Sequence, residues 1–313
     1  MSNGSSVTRN DLRKKRGFSK LEQGYMGFFL ILPWLIGFCI FKLYPFLSSL
    51  AYSFTDYDLF KGAQSFVGFE NYIDAFTKSK NVKALQVTFT YAFMTVPLKL
   101  AFALFIAYIL NFKIRGVGLF RTAYYVPSIL GGSVAIAVLW RALFKNDGVI
   151  NTILAMLGFE SINFLADRGW ALFIICLLRV WQFGSAMVLF LAALKGVPED
   201  LYEAASIDGA TKSRQFLSIT IPIISPVIFY NLVTQLVQAF QEFNGPYIIT
   251  NGGPRNATTL ISLIVYNSAF KDYKVGMSSA MAWIMFVITT IFTIIAFASQ
   301  KKWVYYSDDD GRG

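Results

Sequence analysis

Six stretches of the chain stay apolar for longer than a soluble core helix needs, and polar segments separate them. They cover residues 25–52, 85–110, 119–140, 170–194, 223–243 and 277–297. A bilayer core takes about 20 apolar residues per helix, and each run reaches that length. Peptide groups facing hydrocarbon must bond within their own segment, so continuous runs of this kind form helices, and the period-two alternation of a membrane barrel is not seen. The predicted fold class is therefore all-α: a polytopic membrane protein with six transmembrane helices. The first run is too long for a cleavable leader, whose apolar core is about 7–15 residues.

Six spans bring both termini to one side, and the side follows from where lysine and arginine collect. One side holds Arg9, Arg13, Lys14, Lys15, Arg16 and Lys20, then Lys113, Arg115 and Arg121, then Lys195, Lys212 and Arg214, then Lys301, Lys302 and Arg312. The other side has fewer basic residues on longer loops, so both termini are expected in the cytoplasm. The domain reading is a cytoplasmic segment 1–24, a transmembrane domain 25–299 containing a cytoplasmic loop 195–222, and a cytoplasmic tail 300–313. The run Asp308, Asp309, Asp310 in that tail reads as solvated charge.

Composition agrees with lipid as the solvent: of 313 residues, 55% are hydrophobic and 15% charged, with a mean hydropathy of +0.52. The net charge of +10 could point to nucleic acid, but the basic residues flank apolar runs instead of forming a stripe, so no nucleic-acid partner is expected. Histidine is absent, which removes imidazole chemistry and most zinc hydrolase and Ser-His mechanisms. Cys39 and Cys176 fall inside apolar runs, so neither a disulfide nor a metal site is expected.

The loop 195–222 has helix signals of its own. Pro198 suits a first helical position, Glu199 and Asp200 sit where the helix dipole favours negative charge, and Gly209 can leave the helix with positive φ. Residues 213–219 can restart it, which predicts two short helices joined at Gly209. Such a helix could lie on lipid, but lipid-surface helices carry Lys and Arg on the polar face. This one carries Glu199, Asp200, Glu203 and Asp208 beside small alanines, a face that suits a basic protein groove.

The sequence EAASIDGATKSRQFLSITIP, residues 203–222, resembles the EAA signature of membrane subunits of bacterial ABC importers, with Ile221 in place of the usual Leu. VGFENYIDAF (67–76), FRTAYYVPSI (120–129) and ITNGGPRNATTLISLIVYNSAF (249–270) resemble the maltose and glycerol-3-phosphate type of carbohydrate-importer permease, the first of the two paired permeases. The resemblance implies the type I importer permease fold, with the loop as a coupling helix seated in a separate ATPase. Glu203 would be the charged contact, Ala204 and Ala205 the close-packing surface, Asp208 part of the acidic face and Gly209 the turn. It also implies the partners: a second homologous permease, a dimeric ABC ATPase and an extracytoplasmic sugar-binding protein. No GxxxxGK[ST] run occurs, so this chain is expected to hold no cofactor, with ATP and Mg bound by the ATPase.

A polar line runs through the fifth span: Asn231, Gln235, Gln238 and Glu242 share one helical face, with Thr234 and Gln241 beside it. It could line a passage or glue helices together. In the maltose type this segment contacts bound sugar, which implies Gln235, Gln238, Ala239 and Glu242 along the pathway. Arg179 lies within the fourth span, followed by Gln182 and Ser185. An ionised group there needs a partner, and Glu242 is the candidate, as a structural pair or as a clamp for a polar ligand. Lys99, beside Pro97, has no role legible from sequence. Tyr124, Tyr125, Trp140, Trp181 and Trp283 could stack on sugar rings or form interface belts. Two other classes remain: a secondary carrier, which would show repeats and broken helices, and a membrane-embedded enzyme, for which Arg179 and Glu242 are the only strong groups.

Overall fold

The computed structural model describes residues 28–62, 65–112 and 116–306. The basic head 1–24, Lys113, Arg115 and the acidic tail lie outside them. Among the described residues the chain is helical, with two isolated β-bridges and no strand. Helix α1, Phe28–Ser53, forms a compact unit of its own as far as Tyr52. It passes through a π turn at Cys39–Leu43 and is apolar on every side, as suits a helix whose surroundings are lipid or other membrane helices.

The second unit starts at Ser53. After the short α2, Glu70–Thr77, comes α3, Ser79–Asn111, whose 33 residues make a rod of about 50 Å. It outruns the apolar stretch 85–110 because Lys80, Asn81 and Lys83 continue the helix beyond the hydrocarbon. Tyr91, Ala92, Val96, Ala103 and Ala107 on its inner side are buried, and the alanines let neighbouring helices approach closely. Around this pillar pack the helices of the fourth and fifth spans.

Two expected spans are broken. The third is α4, Val117–Leu130, and α5, Val134–Leu143, bent by 102°; the fourth is α7, Arg168–Trp181, and α8, Gly184–Lys195, bent by 45°. The expected spans 119–140 and 170–194 are thus each a bent pair of helices. At the first break Gly131 and Gly132 precede Ser133, which turns extended and caps α5, its Oγ accepting from the Ile136 N–H at 3.3 Å. Breaks at membrane depth free backbone groups that must find partners, and these two supply each other. The Ser128 hydroxyl donates to the Gln182 carbonyl at 3.1 Å and accepts from the Ser185 N–H at 3.0 Å, while Gln182 Nε2 donates to the Gly131 carbonyl at 2.9 Å. Gly184 makes the crossing possible, because a Cβ there would lie 2.3 Å from the Tyr124 carbonyl oxygen.

The short α6, Val149–Met156, lies between the two broken spans. After α8 comes α9, Glu199–Ile207, with Pro198 capping it from just outside. The second short helix expected at 213–219 is instead the start of α10, which runs from Lys212 to Phe240 through a π turn at Phe216–Thr220. The fifth span therefore ends before Gln241, not at 243. A π turn at Pro246–Thr250 leads on to α11, Ile261–Phe270, and α12, Val275–Gln300. Among the described residues four helices are long and apolar enough to cross a membrane, and up to six spans result when each bent pair counts as one.

The loop before α12 meets the loop that opens the second unit: Leu59 N–H donates to the Tyr273 carbonyl at 3.0 Å and Gly276 N–H to the Tyr57 carbonyl at 3.1 Å. In that loop the Ser65 hydroxyl and N–H, each 2.7 Å from the Asp56 carboxylate, hold its pKa below the usual value. This end of the bundle is the one opposite α9.

Candidate functional site

The first candidate feature is the elbow formed by α9 and the start of α10. Glu199 and Asp200 occupy the first turn of α9. At its end Gly209 adopts φ +75°, Ala210 N–H reaches back to the Ala205 carbonyl at 2.8 Å and Gly209 N–H to the Ser206 carbonyl at 3.1 Å. That is a Schellman closure, which needs the left-handed conformation glycine adopts without strain. Gln215, buried on α10, donates to the Ser206 hydroxyl at 2.8 Å and to the Ala210 carbonyl at 3.2 Å. The Tyr202 and Thr220 hydroxyls, 2.7 Å apart, tie the elbow to the π turn of α10. The elbow is thus fastened to a long membrane helix on one side. Its other side, with Glu203, Ala204, Asp208 and Gly209, is exposed, and Ala205 is half-buried. Ile207 is 87% exposed, an apolar side chain that the other described residues leave uncovered.

The second feature is a polar cleft beside the two helix breaks. Arg179, at the end of α7, donates through Nη1 to Gln182 Oε1 at 3.0 Å and through Nη2 to Gln238 Oε1 at 2.8 Å. Its Nη1 stands 3.7 Å from Glu242 Oε2. Glu242 Oε1 accepts from the Gly245 N–H at 3.1 Å, so the carboxylate is fixed by backbone as well as by charge. Arg179, Gln238, Gln241, Glu242, Phe243 and Asn244 line an open cleft of about 250 Å³. Behind it is a smaller recess of about 50 Å³ that shares Arg179, Glu242 and Asn244 and adds Tyr91, Gln182 and the Gly131–Gly132 pair.

The structure divides the polar line of the fifth span. Gln238 and Glu242 reach the cleft, but Glu242 stands past the end of α10 and not on its face. Gln235 turns into the core and accepts from Lys99 Nζ at 2.7 Å. That contact accounts for Lys99, which is 3% exposed. Asn231 is buried and bonds to the Val227 carbonyl at 2.9 Å, and Ala239 is buried in the core cluster. Gln182 positions Arg179 from within the recess wall.

Sequence reasoning missed Tyr91. It is fully buried and lines the recess, and among the described residues its hydroxyl makes no hydrogen bond of ordinary geometry. A tyrosine inside an apolar run carries no signal that separates it from packing. The pair Gly131–Gly132 did carry one, since adjacent glycines in a helical run mark a break.

Residues 72–305 match the family described as binding-protein-dependent transport system inner membrane component. The chain is 45% identical over 303 residues to the probable ABC transporter permease protein YesP of Bacillus subtilis, covering 96% of this chain and 97% of that one. It is 33% identical over 279 residues to the trehalose/maltose transport system permease protein MalF of Thermococcus litoralis, covering 88% and 94%. Its fold is similar to a chain of a bacterial ABC transporter involved in the import of the acidic polysaccharide alginate, with a TM-score of 0.80 at 22% identity over 92% of this chain and 99% of the other. The chain therefore belongs to the binding-protein-dependent transport system inner membrane components, the multi-pass permease subunits of ABC transporters.

Proposed function

We propose that the chain forms half of the passage of an ATP-driven importer of sugars or oligosaccharides, with both termini in the cytoplasm. The elbow carries this reading. An exposed helix, acidic and alanine-bearing on its free side and hydrogen-bonded to a membrane span on the other, can hand a partner's movement to the bundle. The partner is a dimeric ABC ATPase whose cleft receives Glu203, Ala204, Ala205, Asp208 and the Gly209 turn. ATP and Mg belong to that ATPase. A second homologous permease completes the passage, and an extracytoplasmic binding protein delivers the ligand.

The sugar class draws support from the trehalose/maltose relative and from the chemistry of the cleft. Gln238, Asn244 and the Arg179–Glu242 pair offer donors and acceptors together, which suits a hydroxyl-rich ligand. Alternating access requires that ligand and ATP each bind one global state better than the other, since equal affinity would shift nothing. The test is reconstitution of this chain with its second permease and ATPase in proteoliposomes. Saccharide accumulation that needs both ATP and binding protein is expected. Accumulation by this chain alone without ATP would make it a secondary carrier instead.

A further inference from the structure

An aromatic series leads from the cleft to the end of the bundle opposite the elbow. Phe243 forms part of the cleft wall, and its ring stacks on Tyr247 with centroids 5.0 Å apart and planes 17° from parallel. Both rings meet Tyr266, at 4.9 and 5.1 Å. Tyr266 in turn meets Phe270 at 5.2 Å, and the Lys271 ammonium stands 5.4 Å from the centre of the Tyr247 ring.

The series changes depth as it goes. Helix α11 begins where the Ile261 N–H donates to the Thr88 hydroxyl at 2.9 Å, about 14 Å along α3 from Ser79 at 1.5 Å per residue. It ends at Phe270, just before the loop that pairs Tyr273 and Gly276 with Leu59 and Tyr57 at the rim. An interface belt holds its rings at one depth, whereas Tyr266 and Phe270 follow one another along α11, about 6 Å apart at 1.5 Å per residue.

Burial separates these rings from ordinary packing. Phe240 and Tyr91, which do pack, are 0% exposed, whereas Phe270 is 66% exposed and Phe243, Tyr247 and Tyr266 are only half-buried. Partly exposed rings, two of them tipped by a hydroxyl, suit ligands that are apolar on one side and hydroxylated at the edge, as a pyranose ring is. A cation at the rim adds donors for those hydroxyls. We propose that Phe243, Tyr247, Tyr266 and Phe270, with Lys271, form a track along which saccharide rings pass between the rim and the Arg179–Glu242 cleft. The proposal rests on the sugar reading above and adds a site to it. A helix of the second permease lying over the same rings is the competing occupant.

The test uses the complete importer in proteoliposomes with its binding protein and a pool of radiolabelled mono-, di- and trisaccharides. The wild type first identifies which of these sugars it accumulates. Tyr247→Leu and Tyr266→Leu are then compared with Tyr266→Trp, using only complexes that co-purify with every subunit. A longer chain covers more of the track, so the ratio of trisaccharide to monosaccharide uptake should fall about tenfold in the leucine variants, the loss of one stacking contact, and Tyr266→Trp should restore it. An unchanged ratio, or equal loss for every chain length, overturns the track in favour of a structural wall while leaving the importer reading intact. A wild type that accumulates no saccharide overturns the sugar reading itself, before any variant is measured.

Discussion

Arg179 is the residue on which the cleft turns. It is tied to two glutamines and faces Glu242 at 3.7 Å, with side chains only 19% and 13% exposed. Removing one member of such a pair leaves the other charged and poorly solvated, which costs about 3–5 kcal/mol. Arg179→Ala or Glu242→Gln should therefore lower the thermal unfolding midpoint of the purified complex sharply, and Arg179→Gln combined with Glu242→Gln should recover part of the loss. A double variant that loses the sum of the two single losses would mean that the two groups act separately. The approach of these residues was legible beforehand, because ionised groups within apolar spans have few possible partners. Tyr91 was not, since its meaning depends on a cavity made by other spans. At the elbow, Gly209 sits at φ +75° with open space around it, so only backbone strain opposes a side chain there. Gly209→Val should cost about 1–2 kcal/mol of elbow stability and reduce the ATPase retained on affinity-purified permease. Gly209→Asn, which tolerates the left-handed region, should retain more.

Helices of the required length and polarity could be read from the chain, because lipid demands long apolar runs and internally satisfied backbone. Their interruptions leave no mark in hydropathy, although the adjacent Gly131 and Gly132 signal one of them. Residues 131–133 lie within an apolar stretch, and hydropathy does not register that Ser128 and Gln182 on neighbouring spans satisfy what a break exposes. The same holds for the π turn in α10, where the expected gap between elbow and span is a continuous helix held to α9 by Tyr202 and Thr220. Tyr202→Phe deletes that bond, worth about 0.5–1.5 kcal/mol, without altering the exposed acidic face. Substrate moved per ATP hydrolysed should fall while ATPase co-purification persists, and an unaltered ratio would remove this bond from the transmission path. At the opposite end, Asp56 is held by Ser65 and its pKa is lowered in the folded state. Its contribution is therefore complete above the ordinary carboxylate pKa and is lost as pH falls through the folded value. Amide protection in residues 54–62 and 65–67, corrected for the intrinsic pH dependence of exchange, should fall once pH drops below that ordinary value, and Asp56→Asn should remove this loss of protection.

At the scale of the whole molecule, the elbow and the aromatic rim lie at opposite ends of the bundle with the cleft between them, as an import path driven from one side requires. The cytoplasmic placement of the elbow proposed above rests on the charge bias of the loops and the acidic face of α9. The direct measurement is labelling of Ala204→Cys, in a chain also carrying Cys39→Ser and Cys176→Ser, by a membrane-impermeant maleimide in sealed vesicles. In inside-out vesicles stripped of ATPase the cysteine should react rapidly, and it should be protected when the ATPase is added back; right-side-out vesicles should leave it unlabelled. Rapid labelling from the outside, or labelling that the ATPase does not slow, would contradict the account.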